Sequence, residues 1–339
     1  MNHRTLGTVD SVSEIGYGSW QIGSDWGDVS ATEARRAVET ARESGVDFFD
    51  TADVYGGGRS ERILGEVLRE DIDRSDVTVA TKAGRRLDPH TTDGYTEANL
   101  RRFVDRSREN LGVDALDLVQ LHCPPTDAYY RPSVFDALET LRDDGRIERY
   151  GVSVERVEEG LKAITYPDVE SVQIIFNPFR QRPAELFFEE AAARDVGVIV
   201  RVPLASGLLT GALSRETDFP ENDHRNYNRE GEAFDVGETF AGVPYEVGLD
   251  AADALAERVD AVADDPTDAT GNDLSLPQLS LRWLLDHDAV SAVIPGSTTP
   301  EHIRSNAAAS DLVPLGEADR EAVADVYDEF VREHVHQRW

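Results

Sequence analysis

Short apolar runs rich in β-branched residues recur along this chain, separated by longer segments with helical spacing, and that alternation restricts its folds more than any other feature. The runs fall at residues 15–20, 47–52, 77–82, 116–122, 150–154, 172–176, 198–202 and 292–294. Several are nearly continuous in apolar residues, as in FFD, VTVA, LDLVQL and VGVIV. Continuous rather than alternating hydrophobicity suits parallel strands covered on both faces. The intervening segments read as helices. Residues 32–44 begin with Thr-Glu and stop before Gly45, and 60–69 carry Ile63, Leu64, Val67 and Leu68 on one face. Residues 96–111 end at Gly112, and 133–144 end at Gly145. A glycine just past the last helical residue is a C-terminal stop.

Repeated strand–helix alternation predicts parallel βαβ units. Eight of them favour a closed (β/α)8 barrel, although periodicity alone does not exclude an open doubly wound sheet. A chain of 339 residues, 40% hydrophobic, has the material for one large core. No stretch has the composition of a linker, so a single domain over 1–339 is expected. Residues 3–13 resemble a hairpin ahead of the first barrel strand, closing the barrel floor. Residues 214–248 are polar and rich in Asn, Gly, Arg and Glu, and are expected to form a long βα loop serving as a lid or binding loop. A second acidic, turn-rich stretch containing residues 271–273 is expected as a surface insertion in the last βα unit.

Charge excludes several classes of partner. Asp and Glu number 66 against 34 Lys and Arg, a net charge of −32 spread over the whole chain. Such a surface repels phosphate backbones and anionic headgroups, which argues against nucleic acid and membrane. Its self-repulsion is relieved in molar salt, where the Debye length is about 3 Å, so a salt-rich cytoplasm is the expected setting. Cys123 is the only cysteine, which rules out an intrachain disulfide and a cysteine metal cluster. The first residues lack a signal-like apolar stretch and no run approaches a membrane span, so a soluble intracellular protein is expected.

In a barrel, residues at the carboxyl ends of strands face one mouth. Asp50, Lys82 and His122 each end an apolar run, and Tyr55 follows Asp50 on the next loop. A lone charge ending an apolar strand is costly unless paired or used. Singly, each has a bland explanation: a helix cap, a surface lysine, a core histidine, a packing tyrosine. Three strands ending this way in one mouth make a site the better reading. The residue types suit proton transfer to a carbonyl oxygen. A tyrosine with a pKa near 10 is a weak acid, and a neighbouring ammonium is expected to lower that value. The aspartate keeps the lysine charged, and the histidine hydrogen-bonds the oxygen or assists the relay. No G-x-S-x-G elbow is present, so hydride from a cofactor is the expected chemistry.

The segments FFDTADVYGGGRSERILGEVL, VTVATKAG, LDLVQLHCP and RYGVSV resemble the successive motifs of the aldo-keto reductase family. The likeness continues through VQIIFNPFRQ, VIVRVPLASGLLTG and VIPGSTTPEHIRSNAAA, covering nearly the whole chain in order. It implies a (β/α)8 barrel that binds NAD(P)(H) without a Rossmann domain, with Asp50, Tyr55, Lys82 and His122 as catalytic tetrad and the tyrosine as general acid. It also implies that Ser153 and Gln173 hold the nicotinamide carboxamide, with Val154 replacing the family's usual asparagine. Pro203, Leu204, Ser206, Gly207 and Leu208 match the loop around the pyrophosphate. Ser297, Thr299 and Asn306 match the motif at the adenosine phosphate, near a helix N-terminus. A lysine frequent in NADPH-dependent members is Gly296 here. Ser297, Arg304 and a backbone amide remain to hold a 2′-phosphate, with His302 at another position often basic, and NADP(H) is expected ahead of NAD(H). Trp20 matches a substrate-cavity position, and Trp26 is expected to extend the aromatic wall.

Reduction of aldehydes or ketones is therefore the leading expectation. Oxidation of a sugar or polyol by the same residues is the alternative, and a nicotinamide-binding regulatory subunit ranks third. The glycines of 16–23 are spaced GxGxxxxG, which does not make a dinucleotide fingerprint, and Gly56–Gly58 reads as a turn. His287 reads as a helix-end residue, His334 and His336 lie close together in the C-terminal helix without a third ligand, and no metal site is expected.

Overall fold

The computed structural model describes residues 1–23, 26–70, 76–260 and 274–339; the expected insertion at 271–273 lies outside the described residues. Two strands, β1 (His3–Leu6) and β2 (Val9–Ser13), pair antiparallel as the expected hairpin. Gly7 turns between them at φ 57°, where a Cβ would meet the Glu170 carbonyl oxygen at 2.5 Å. Eight further strands pair in parallel in chain order. They are β3 (Tyr17–Gly18), β4 (Phe48–Asp50), β5 (Thr78–Ala83), β6 (Leu116–His122), β7 (Ile147–Ser153), β8 (Val169–Ile175), β9 (Gly197–Arg201) and β10 (Val290–Val293). The last meets the first: Gly16 N donates to Val293 O at 2.8 Å, and Val293 N donates to Glu14 O at 2.9 Å. These bonds close the sheet into a barrel and leave it no open edge.

Helices alternate with the strands as the periodicity predicts, with ends shifted by a residue. They are α1 (Trp20–Gly23), α2 (Ala31–Glu43), α3 (Arg59–Glu70), α4 (Glu97–Leu111), α5 (Pro132–Asp143), α6 (Val157–Ala163) and α7 (Phe187–Ala192), then α8 (His224–Tyr227), α9 (Tyr245–Asp260), α10 (Leu276–Leu285), α11 (Pro300–Ala308) and α12 (Glu317–Val326). Their boundaries follow from capping chemistry. Ser30 and Glu33 form a reciprocal capping box on α2, and Thr96 accepts from Asn99 N at the start of α4. Gly112 ends α4 in the left-handed region.

Two expectations are corrected in detail. The run 15–20 forms a strand at Tyr17–Gly18, with a single parallel bridge from Ile15 to Val293, and Trp20 opens a helical turn. The chain is pressed against the closing strand here; a Cβ on Gly18 would lie 2.7 Å from the Ile294 carbonyl oxygen. The 214–248 stretch is also more ordered than a loop. It contains α8 and single turns at Val236–Glu238 and Phe240–Gly242, and α9 starts inside it.

The strand period of two sorts the core into layers. Phe48, Ala80, Leu118, Ile199, Ala292 and Ile294 point into the barrel and are capped from below by Leu6 and Val12 of the hairpin. Their neighbours Phe49, Val79, Val119, Val198 and Val200 belong to the larger core shared with the helices. One step up the same inward rows stand Asp50, Lys82, Gln120 and Arg201, with His122 above Gln120. The alternation that packs the floor thus places charged side chains in the mouth.

Candidate active site

A cleft of about 530 Å³ opens at the carboxyl ends of the strands. Asp50 ends β4 in register with Ala80, and Lys82 stands two residues beyond Ala80 near the end of β5. Lys82 Nζ donates to Asp50 Oδ1 at 2.5 Å and to Thr51 O at 2.9 Å, and the two side chains are only 1% and 4% exposed. Gln173 on β8 donates from Nε2 to the other oxygen of Asp50 at 2.7 Å. The carboxylate is therefore held from both sides. Ser153 on β7 donates to Gln173 Oε1 at 3.5 Å, which ties the expected carboxamide residues to the expected tetrad. Val154 is buried away from the cleft, its N–H donating to Gln173 O.

Tyr55 begins a single turn through Gly56, Gly57 and Gly58, all at positive φ, as the glycine run predicts. Lys82 Nζ lies 5.2 Å from the Tyr55 ring centroid, and the His122 ring meets the Tyr55 ring edge-on at 6.0 Å. The four expected residues thus come together. Their proton affinities are set by burial first. Burial, then the Asp50 and Glu238 carboxylates, hold the Tyr55 phenol well above its ordinary value, against the opposing pull of Arg85 and Arg201. The expectation that a neighbouring ammonium lowers it is corrected: desolvation outweighs every nearby cation. Burial pushes Lys82 down despite Asp50. Burial, Arg85 and Lys82 push His122 well down, leaving a neutral imidazole whose Nδ1 is buried without a hydrogen-bond partner.

Trp20 stacks on Tyr55 with centroids 5.9 Å apart, and Trp26 meets Trp20 edge-on at 5.7 Å. His224 and Phe234, from the 214–248 stretch, complete this wall at 4.7 and 5.9 Å from Trp20. Both tryptophans line the cleft.

Along the cleft, Pro203, Leu204, Ser206 and Gly207 line one wall. Leu208 does not; its side chain is buried and packs where Gly248 approaches. Val202, Ala205, Ser206 and Gly207 all have positive φ, a strained stretch of the kind that clusters at binding sites. Ser206 Oγ is committed to the backbone of Glu238 and Phe240. At the far end Ser297, Thr299, His302 and Asn306 line the cleft at the start of α11, where Ser297 Oγ accepts from Thr299 N at 3.1 Å. Arg304 turns outward, 3.8 Å from Glu43, and is corrected as a candidate phosphate contact: its charge lies off the cleft wall.

Three charged residues of the wall escaped the sequence reading: Arg201, Glu238 and Arg225. Arg201 bridges Glu155 at 2.8 Å and faces Glu238, while Arg85 pairs with both carboxylates. Arg201 ends an apolar run just as Asp50 does, so the signal was present. Arg225 is clamped by Asp223 and stacks between Trp26 and Phe219, at 4.6 and 4.5 Å. Cys123, Glu155 and Glu238 converge closely enough to suggest metal ligands. Two guanidiniums already neutralise those carboxylates, and burial pushes the thiol well up, so this donor set does not suit a cation. His287, His334 and His336 serve local contacts to Trp283, Glu333 and Tyr327.

Residues 14–328 match the Aldo/keto reductase family. The chain belongs to that family. It is an NAD(P)(H)-dependent oxidoreductase acting on carbonyl compounds. It is 29% identical to the uncharacterized oxidoreductase YqkF of Bacillus subtilis, covering 95% of both chains. It is 27% identical to the aldo-keto reductase yakc [NADP(+)] of Schizosaccharomyces pombe, over 88% of this chain and 83% of the other. Among solved structures, the holo form of aldo-keto reductase AKR11C1 from Bacillus halodurans superimposes with a TM-score of 0.74, at 27% identity over 96% of each chain.

Proposed function

We propose that Tyr55 is the general acid of aldehyde or ketone reduction, with Lys82, Asp50 and His122 arranging its proton. The carrying observation is the phenol's position: buried, stacked on Trp20, and beside Lys82 and His122 at the mouth of the cleft. A phenol is protonated at neutral pH, and the substrate oxygen, as it gains negative charge, is a strong enough base to take its proton. The nicotinamide supplies the hydride when bound. Neutral His122 orients the carbonyl oxygen, Asp50 keeps Lys82 in place, and the Lys82 ammonium stabilises the phenolate left behind. Oxidation of a polyol would run the same proton transfer in reverse, with Tyr55 ionised at the outset, which burial opposes.

The wall supports a dinucleotide: Ser153 and Gln173 at the carboxamide, 203–207 at the pyrophosphate, Ser297, Thr299 and Asn306 at the adenosine end. NADP(H) is the preferred form in this reading, His302 being the basic side chain of α11 on the cleft wall, and yakc carries NADP(+) in its name. We read the chain as a single domain of a salt-rich cytoplasm, with 214–248 as its principal βα-loop segment over the cleft and with no nucleic-acid partner, from its net charge of −32. Trp20 and Trp26 form the substrate wall.

Tyr55→Phe tests the acid. Turnover with a carbonyl panel in molar KCl should fall at least about a hundredfold, while quenching of tryptophan fluorescence by NADPH is unchanged. Retained turnover sinks the assignment, and tighter binding of NADH than NADPH sinks the cofactor preference.

A further inference from the structure

Between Asp50 and Tyr55 stands a carboxylate that the proton transfer does not use. Asp53 is fully buried at 0% side-chain exposure, and its partner is Arg106 of α4, bonded at 2.5 Å. Its Oδ1 is buried with no hydrogen-bond partner. Its main chain is tied to the site, because Asp53 N donates to the Lys82 carbonyl oxygen at 3.3 Å and Arg86 donates to Asp53 O. Two residues on, Tyr55 N donates to Ala52 O, so the segment carrying the phenol is one tight turn hung from Asp53. The charged and titratable groups facing this carboxylate are Arg106, Arg86, Glu61 of α3 and Tyr95. Glu61 is itself occupied by Thr81 and Asn110.

A half-satisfied buried charge destabilises a fold. An asparagine of the same shape would accept from Arg106 without burying a charge. Stability therefore does not explain the carboxylate, and its location on the turn that carries Tyr55 does. We propose that Asp53 is a positioning residue: its ion pair with Arg106 clamps the 51–55 turn against Lys82 and α4, setting the Tyr55 hydroxyl at the expense of folding stability. This rests on the reading of Tyr55 as the proton donor.

Burial, only partly offset by Arg106, pushes Asp53 up to about 7. The clamp then loosens as pH falls through neutrality. Wild-type kcat should show an inflection near pH 7 that Asp53→Asn abolishes, with kcat at pH 8 lowered roughly tenfold, a barrier change of about 1.4 kcal/mol, and NADPH binding by fluorescence unchanged. Because the asparagine buries no charge, its urea midpoint should exceed wild type at pH 8, and the excess should shrink steadily as pH falls from 7 toward 4. Glu155 also lies near 7, so the inflection must vanish in Asp53→Asn specifically. Arg106→Gln is the second variant; without the guanidinium the inflection should move upward from 7. The proposal is overturned if Asp53→Asn keeps full kcat or keeps the inflection, if it loses stability at pH 8, or if Arg106→Gln leaves the inflection in place. A dead Tyr55→Phe alongside any of these would leave the acid assignment intact and remove only the clamp.

Discussion

The Asp50–Lys82 pair allows a quantitative test of how the site is held. Both side chains are essentially dry, at 4% and 1% exposure, and 2.5 Å apart. Lys82→Met removes the cation and leaves Asp50 with Gln173 Nε2 as its side-chain donor. An orphaned buried charge costs about 3–5 kcal/mol. Asp50→Asn should cost less, because burial has already pushed Lys82 below its ordinary value and the amine can shed its proton. The double variant buries no charge. It should recover most of that loss and fall within about 1–2 kcal/mol of wild type, since replacing a buried pair by groups of similar shape is often near neutral. Equilibrium urea unfolding of all four proteins, followed by tryptophan fluorescence in molar KCl, measures the cycle. All three variants should lose turnover. If the double variant is as unstable as the two singles added together, the pair is not electrostatically coupled and this account of the site is wrong.

Two further outcomes follow from charge. With a net charge of −32, the midpoint of thermal unfolding should rise as KCl increases toward molar concentration; a steady fall would refute salt adaptation. Asp53 and Glu155, both raised to about 7, favour the fold in their neutral forms. Their contribution is fully present below the unfolded value near 4 and is lost as pH rises through 7. Glu238 behaves oppositely: burial alone would raise it, but Arg85 and Arg201 hold it well below its ordinary value, so its contribution is lost as pH falls. The urea midpoint should therefore be highest in mildly acid solution, and a midpoint rising steadily from pH 5 to 8 would contradict these assignments.

Much of the site could be read along the chain because its residues obey a local rule. Asp50, Lys82 and His122 end apolar runs, where an unused charge is expensive, and a two-residue period puts them on the inward face. Arg201 carries the same mark inside VIVRVPLASGLLTG, but its partners Glu155 and Glu238 come from segments far along the chain. His224, Phe234, Arg225 and Glu238 were not legible. They come from a polar stretch whose composition says loop, and their places beside Trp20 and Arg85 depend on how that stretch folds back. Trp20 was expected on a strand and opens a helical turn instead, because strand closure against Ile294 uses up the room.

By itself the sequence determined the alternation of strands and helices, the single acidic surface and the row of charges at the strand ends. These depend on neighbours a few residues away, or on composition alone. Only the tertiary structure decided how tightly each proton is held. Tyr55 is governed by burial and by Asp50, Glu238, Arg85 and Arg201, brought from four separate segments. A sum over burial and groups from several segments has no local trace, so the tyrosine was visible as a candidate acid while the upward direction of its shift was not.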